Sequence, residues 1–306
     1  MSPIVAAALF AMFLWWFATG TIFYLIGRPR RTHRASLWAA SGLAVAALLA
    51  IVWTRDDASA RAAYIGFAGA IVLWGWHEMT FLTGRLTGPR RVACAPDCGG
   101  MRHFRHGVAA LLHHELAILV NAVLLVAICW GADNMTALWT FLLLWAMRVS
   151  AKLNLHFGVP NTAAELLPPH LAYMQSFFAV RPINPLFPVS IAFATGVTLW
   201  LAMAAHGAPA GSGAETAYAL MATLAALALL EHWALVLPMP MEALWRWSLG
   251  GHRNVVDAPN QDRDADTAAA QALPRYLERQ SPQCRGLELA ASPSLRAAGG
   301  TTVKGG

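Results

Sequence analysis

Charge is scarce in this chain. Only 12% of its 306 residues are Asp, Glu, Lys or Arg, about half the share found in soluble domains, which excludes an ordinary water-solvated globular fold. Cysteine is scarce as well: Cys94, Cys98, Cys129 and Cys284 give no disulfide framework. No basic residue precedes the first apolar run, which begins Met1-Ser2-Pro3-Ile4 and carries Trp15-Trp16-Phe17 in its middle. That run therefore reads as an anchor and not as a cleaved signal. No stacked-aromatic nucleic-acid module is evident either. The net charge of +6 and the pI near 9.5 are better assigned to membrane topology and anionic lipid than to nucleic acid.

Apolar residues are what the chain has, at 57% of the total with a mean hydropathy of +0.48. Seven runs, 4–26, 36–53, 62–82, 108–130, 136–157, 186–205 and 216–237, approach the roughly 20 residues that a spanning helix needs. The expected fold is an all-α integral membrane bundle of about seven transmembrane helices. One domain, 1–252, precedes a tail, 253–306, that has little apolar periodicity and is expected to be disordered. Arginine sets the orientation: the first loop holds Arg28, Arg30, Arg31 and Arg34, the third holds Arg85, Arg90, Arg91, Arg102 and Arg105, and the fifth ends at Arg181. In the second loop Arg55 and Arg61 are offset by Asp56 and Asp57, while the fourth and sixth have no Lys or Arg. By the positive-inside rule the N-terminus lies outside and the C-terminus on the cytoplasmic side.

Against this apolar background Glu78, Glu115 and Glu231 stand out, each inside a spanning run and each beside a histidine. An ionisable residue at mid-membrane costs roughly 2.5–3.5 kcal/mol, so three of them imply a shared polar interior. At a rise of 1.5 Å per residue, Glu78 and Glu231 lie roughly 24 and 22 Å from the outer surface and Glu115 about 18 Å, close to one layer. Arg148, Lys152 and His156 follow at i, i+4 spacing and form one polar stripe that reaches this layer, with Asn154 on the neighbouring face.

Three readings of the layer compete. Glu78, Glu115 and Glu231 could neutralise Arg148 and Lys152, with His114 and His232 completing hydrogen bonds in a network that fixes helix assembly. Alternatively Glu78, His114, Glu115, Glu231 and His232 could hold a metal, a di-iron site in particular, although adjacent His and Glu point about 100° apart, unlike the Glu-x-x-His of di-iron bundles. Third, His114 or His232 could ligate the metal of a tetrapyrrole. The absence of paired helix breaks argues against a transporter.

The loops expected to be cytoplasmic carry further candidates. Cys94-Ala95-Pro96-Asp97-Cys98, followed by His103 and His106, has the donor types of a metal knuckle, but the spacing is not Cys-x-x-Cys and no second pair follows. The expectation is a turn with reduced thiols. Thr162-Ala163-Ala164-Glu165 has the form of a capping box opening a short helix, and His170 to Phe178 reads as an amphipathic segment, so 162–179 is expected to lie on the membrane face with Glu165 and His170 as candidate loop residues. A second interfacial helix is expected over 241–249.

Several motifs taken together resemble a known family: Phe13-Leu14-Trp15-Trp16-Phe17, Trp74-Gly75-Trp76-His77-Glu78-Met79, Gly88-Pro89-Arg90-Arg91, His114-Glu115-Leu116-Ala117-Ile118, Ser150-Ala151-Lys152-Leu153-Asn154, Leu167-Pro168-Pro169-His170-Leu171 and Glu231-His232-Trp233. They resemble the photosynthetic complex assembly protein 2 family, PuhE, of phototrophic proteobacteria, over about residues 10–250. The resemblance implies a role in assembly or regulation of the reaction centre and light-harvesting antenna, or in bacteriochlorophyll supply to them. Implied partners are reaction-centre or light-harvesting subunits or pigment-handling proteins. The family has no established chemistry, so the alternative of a metal-dependent membrane enzyme acting on a pigment precursor or quinone stays open, with Lys152 orienting a polar group.

Overall fold

The computed structural model describes residues 1–95, 97–238 and 244–249. They form seven long α-helices: α1 Pro3–Ile26, α2 Arg30–Trp53, α3 Ala60–Leu82, α4 Gly100–Cys129, α5 Thr136–Phe157, α6 Leu186–Gly207 and α7 Gly213–Ala234. A short α8, Arg246–Leu249, follows, and no strand occurs among the described residues. Five of the helices, α1, α2, α4, α6 and α7, are long and apolar enough to cross a membrane. The chain is an all-α membrane protein. The expected tail, 253–306, lies outside the described residues.

Local chemistry sets the helix ends. Ser2, Ser59 and Ser212 cap α1, α3 and α7 by accepting hydrogen bonds from Val5, Ala62 and Glu215 amides at 3.3, 3.2 and 3.1 Å. The Glu215 carboxylate in turn accepts from the Gly211 amide at 2.6 Å, a variation on the capping box. At the far end of α5, Gly158 adopts φ +117°, a conformation closed to side chains with a Cβ, while its amide bonds Asn154 O. Two helices begin well before the apolar runs that predicted them. Arg30 and Gly100 open α2 and α4, because helical hydrogen bonding continues through arginine-rich turns that hydropathy alone excludes.

Small residues decide how closely the helices approach. α3 sits centrally, in contact with α1, α2, α5 and α7. A Cβ on Gly66 would lie 3.2 Å from the Ala137 amide of α5, and one on Gly69 would lie 3.0 Å from Ile51 of α2. Around α3 the core divides in two. One part joins α2, α3, α4 and α5 through Ile51, Leu73, Ile118, Leu125 and Phe141; the other joins α1, α3 and α7 through Ala7, Ala11, Phe67, Leu220 and Leu224. The outer faces of α1, α2, α4 and α6 leave large apolar side chains exposed, among them Phe13, Leu49, Val120, Val123, Phe193 and Met203. This suits a hydrocarbon surround.

Polar joints close the ends of the bundle. Asn134, 8% exposed, donates to Thr54 O at 3.2 Å and Ala62 O at 2.9 Å and accepts from the Thr136 amide at 3.2 Å, tying α2, α3 and α5 together. Asn134→Ala is expected to cost about 2 kcal/mol through these three lost bonds, readable as a lower midpoint of thermal unfolding in detergent.

The 162–179 segment departs in part from expectation. Short helices form close to where they are expected, as two 3-10 segments, Ala164–Leu166 and Pro169–Phe177, but the capping box is not made. Ala163, the first position after the expected Thr162 cap, takes the left-handed conformation, φ 48°, where a capping box needs right-handed helix. Its apolar residues also face protein: Leu171 and Met174 pack with Phe81, Leu82 and Leu111. His170 lies over Gly84, whereas the Glu165 side chain is outside the described residues. In the second predicted segment, 241–243 are likewise outside, and 244–249 dock on α1. Trp16 Nε1 donates to Leu244 O at 2.9 Å and Trp245 Nε1 to Trp16 O at 3.1 Å.

Candidate functional site

The carboxylates of α3 and α4 meet the cationic stripe of α5. Arg148 donates to Glu78 Oε2 at 3.1 Å, and Lys152 donates to Glu115 Oε1 at 2.6 Å. Arg148 and Lys152 are one turn apart, about 6 Å along the axis, so the two acids lie at nearly one level. Glu78 is 8% exposed. Trp145, two turns before Lys152 on the same face, adds an indole N–H to Glu115 Oε2 at 3.1 Å. Glu231 of α7 lies beside the set: its carboxylate interacts electrostatically with Arg148 and Glu78, although the residue is exposed on α7. Three carboxylates thus share two cations across α3, α4, α5 and α7.

The histidines divide by partner. His232 donates through Nδ1 to Ala228 O at 2.8 Å and accepts at Nε2 from the Ser150 hydroxyl at 3.0 Å, which leaves neither nitrogen for a metal. His77 accepts at Nε2 from Asn121 at 2.9 Å. His114 is fully buried and neither ring nitrogen has a hydrogen-bond partner; its ring lies 4.6 Å from Phe81 and 6.4 Å from His77. The His114 ring is thus enclosed by protein, whereas both His232 nitrogens are engaged. Asn154 stands apart from the layer. It donates to Ser190 Oγ at 2.9 Å and accepts from Asn184 at 3.1 Å, joining α5 to the start of α6.

Among the described residues, Glu78, His114, Glu115, Glu231 and His232 do not bring three ligand atoms together; the group that does is Cys94, Cys98 and His106. His106 Nδ1 lies 3.3 Å from both sulfurs. His103 turns away to stack on His156 at 5.2 Å. Burial pushes the Cys94 thiol up to about 11, so without a metal it stays protonated and unreactive near neutral pH.

Sequence reasoning missed Trp145 and Asn121 and, while quoting Ser150 in a motif, gave it no partner. Trp145 was findable, lying three residues before Arg148 on the stripe. Asn121 is the lone amide in an apolar stretch of α4, but nothing local names its partner.

The arrangement suits holding buried charge in a fixed helix assembly better than binding substrate, because the Glu78 and Glu115 carboxylates are each engaged by a cation. Comparison with known proteins carries the assignment further. The chain is 40% identical over 249 residues to an uncharacterized 30.4 kDa protein in the puhA 5' region of Rhodobacter capsulatus, an alignment that covers 79% of this chain and 89% of that one. No solved structure matches. Residues 1–255 match the model of a protein family of unknown function, DUF3623, and the chain belongs to that family.

Proposed function

We propose that this protein is a factor for assembly or regulation of the bacterial photosynthetic apparatus, the PuhE role that its motifs resemble. The observation carrying this reading is the 40% identity to a protein in the puhA 5' region, a photosynthesis gene region. All seven long helices span the inner membrane, with the N-terminus periplasmic and the arginine-rich connections cytoplasmic, as the positive-inside rule requires. α3 and α5 count among the spans because their charged residues neutralise one another inside the bundle. The broad apolar faces of α1, α2, α4 and α6 meet lipid and reaction-centre, light-harvesting or pigment-handling partners, and the arginines meet anionic headgroups. The charge layer holds the bundle in one assembly. A metal-dependent enzyme using the same layer needs Glu78 and Glu115 free of Arg148 and Lys152, and the ion pairs argue against it.

The test is genetic. Removing the Rhodobacter capsulatus relative is expected to lower the near-infrared absorption of reaction centre and antenna per unit of membrane protein, and this chain is expected to restore it. Unchanged absorption in the deletion strain, or no recovery with this chain present at the relative's level, counts against the role.

A further inference from the structure

We propose that Cys94, Cys98 and His106 form a zinc site of the Cys2His type with its fourth position open to water or another ligand. The site lies where the α3–α4 connection enters α4, away from the charge layer. Its three ligand atoms lie within 4.8 Å of one another. In a tetrahedral site with zinc–sulfur and zinc–nitrogen bonds of about 2.3 and 2.05 Å, sulfur and nitrogen are separated by about 3.6 Å. The 3.3 Å from His106 Nδ1 to each sulfur falls close to that value, and a slight expansion admits the ion. Hydrogen bonding alone accounts poorly for this geometry. Nδ1 offers one proton or one lone pair, directed at one partner, yet it stands equally far from two sulfurs.

The backbone is arranged to hold the three donors. The Cys94 amide donates to Ser176 Oγ at 2.9 Å, and its side chain packs with Ala110 and Phe177, so this ligand is anchored to α4 and to the second 3-10 segment. The Cys98 amide closes a turn on Ala95 O at 2.9 Å, which brings the second sulfur back toward the first. Gly100, at φ +56°, then lets the chain pass straight into α4, whose second turn carries His106. Cys-x3-Cys lies within the spacing range of structural zinc sites. Two thiolates neutralise a divalent cation, and Arg102, hydrogen-bonded to Asp97 O at 3.0 Å and Oδ2 at 3.3 Å, sets a positive charge beside Cys98. Cys98 and His106 are half-buried, so an ion has a path in. Mixed sulfur and nitrogen ligation favours zinc over magnesium or calcium.

The experiment uses the full-length protein, purified in detergent under reducing conditions from zinc-supplemented cells. Elemental analysis is expected to find stoichiometric zinc, retained in Glu78→Gln and Glu115→Gln and lost in Cys98→Ser and His106→Ala. Because a variant that misfolds also loses metal, wild-type protein stripped of zinc and titrated with cobalt(II) provides the second readout. Thiolate-to-cobalt charge-transfer absorption with tetrahedral visible bands is the expected result. Folded wild-type protein that holds no zinc and gives no such bands overturns the site, and so does a Cys94–Cys98 disulfide in the reduced preparation, seen as an intact mass lower by a pair of hydrogens. Zinc lost from the Glu115→Gln variant and kept in His106→Ala moves the metal to the charge layer and equally overturns it.

Discussion

Arg148→Met is expected to destabilise the bundle by about 3 kcal/mol, the lower end for breaking a buried ion pair, because the Arg148 side chain retains 43% exposure. The loss comes from what remains behind. Glu78 is nearly buried, its Oε1 has no hydrogen-bond partner, and without Arg148 its Oε2 loses the donor at 3.1 Å. Glu231 and Glu115 lose the same cation, and Lys152 is left facing Glu115 and Glu78. The double variant Arg148→Met with Glu78→Gln removes the stranded charge and is expected to recover most of the loss. Thermal unfolding of the four proteins in one detergent measures the coupling. Additive losses sink the idea that this pair acts as a unit, whereas recovery in the double variant establishes it. The same set separates function from architecture: an assembly factor should tolerate the neutral pair, and an enzyme using Glu78 should not.

Gly88→Ala is expected to be comparably damaging, by about 3 kcal/mol, for a steric reason. A Cβ at this position would lie 2.1 Å from Ala109 O and 2.5 and 2.6 Å from the Ala110 carbonyl group, all of it helix backbone that has no rotamer to yield. Around Gly88 the connection lies directly on α4: the His114 amide donates to Thr87 O at 2.9 Å and the Arg90 amide to Ala109 O at 3.4 Å. Pushing this segment away breaks both bonds and disturbs the entry to His114 and Glu115. The measurement is the yield of monodisperse protein and its unfolding midpoint, with Gly42→Ala as control, since no atom lies within 4 Å of a Cβ there. Equal stability of the two variants shows that the connection is not seated on α4 in the membrane.

The seven helices were legible because a hydrophobic run of spanning length is a local property, and the runs predicted all seven long elements. Their ends were less so. α2 and α4 start at Arg30 and Gly100, since a helix propagates by hydrogen bonding and not by hydropathy. The cationic stripe was legible for the same local reason: Arg148 and Lys152 share a face through the helical repeat. In the 162–179 segment the short helices were legible but the capping box was misread, because the Thr162 to Glu165 pattern says nothing about the left-handed turn at Ala163. At Cys94 and Cys98 the turn and the free thiols were legible, whereas spacing could not say that folding places His106 against both sulfurs and sends His103 to His156.

By itself the sequence determined that this is an all-α membrane protein with acids, bases and histidines confined to a few levels of its helices, because solvation and the helical repeat act residue by residue. Which acid takes which cation, which histidine meets a sulfur, and which residues are left unpaired were decided only in three dimensions. Those choices depend on the rotation and height of each helix against its neighbours, which the close approaches at Gly66 and Gly69 help to set, as Gly88 does for the connection seated on α4.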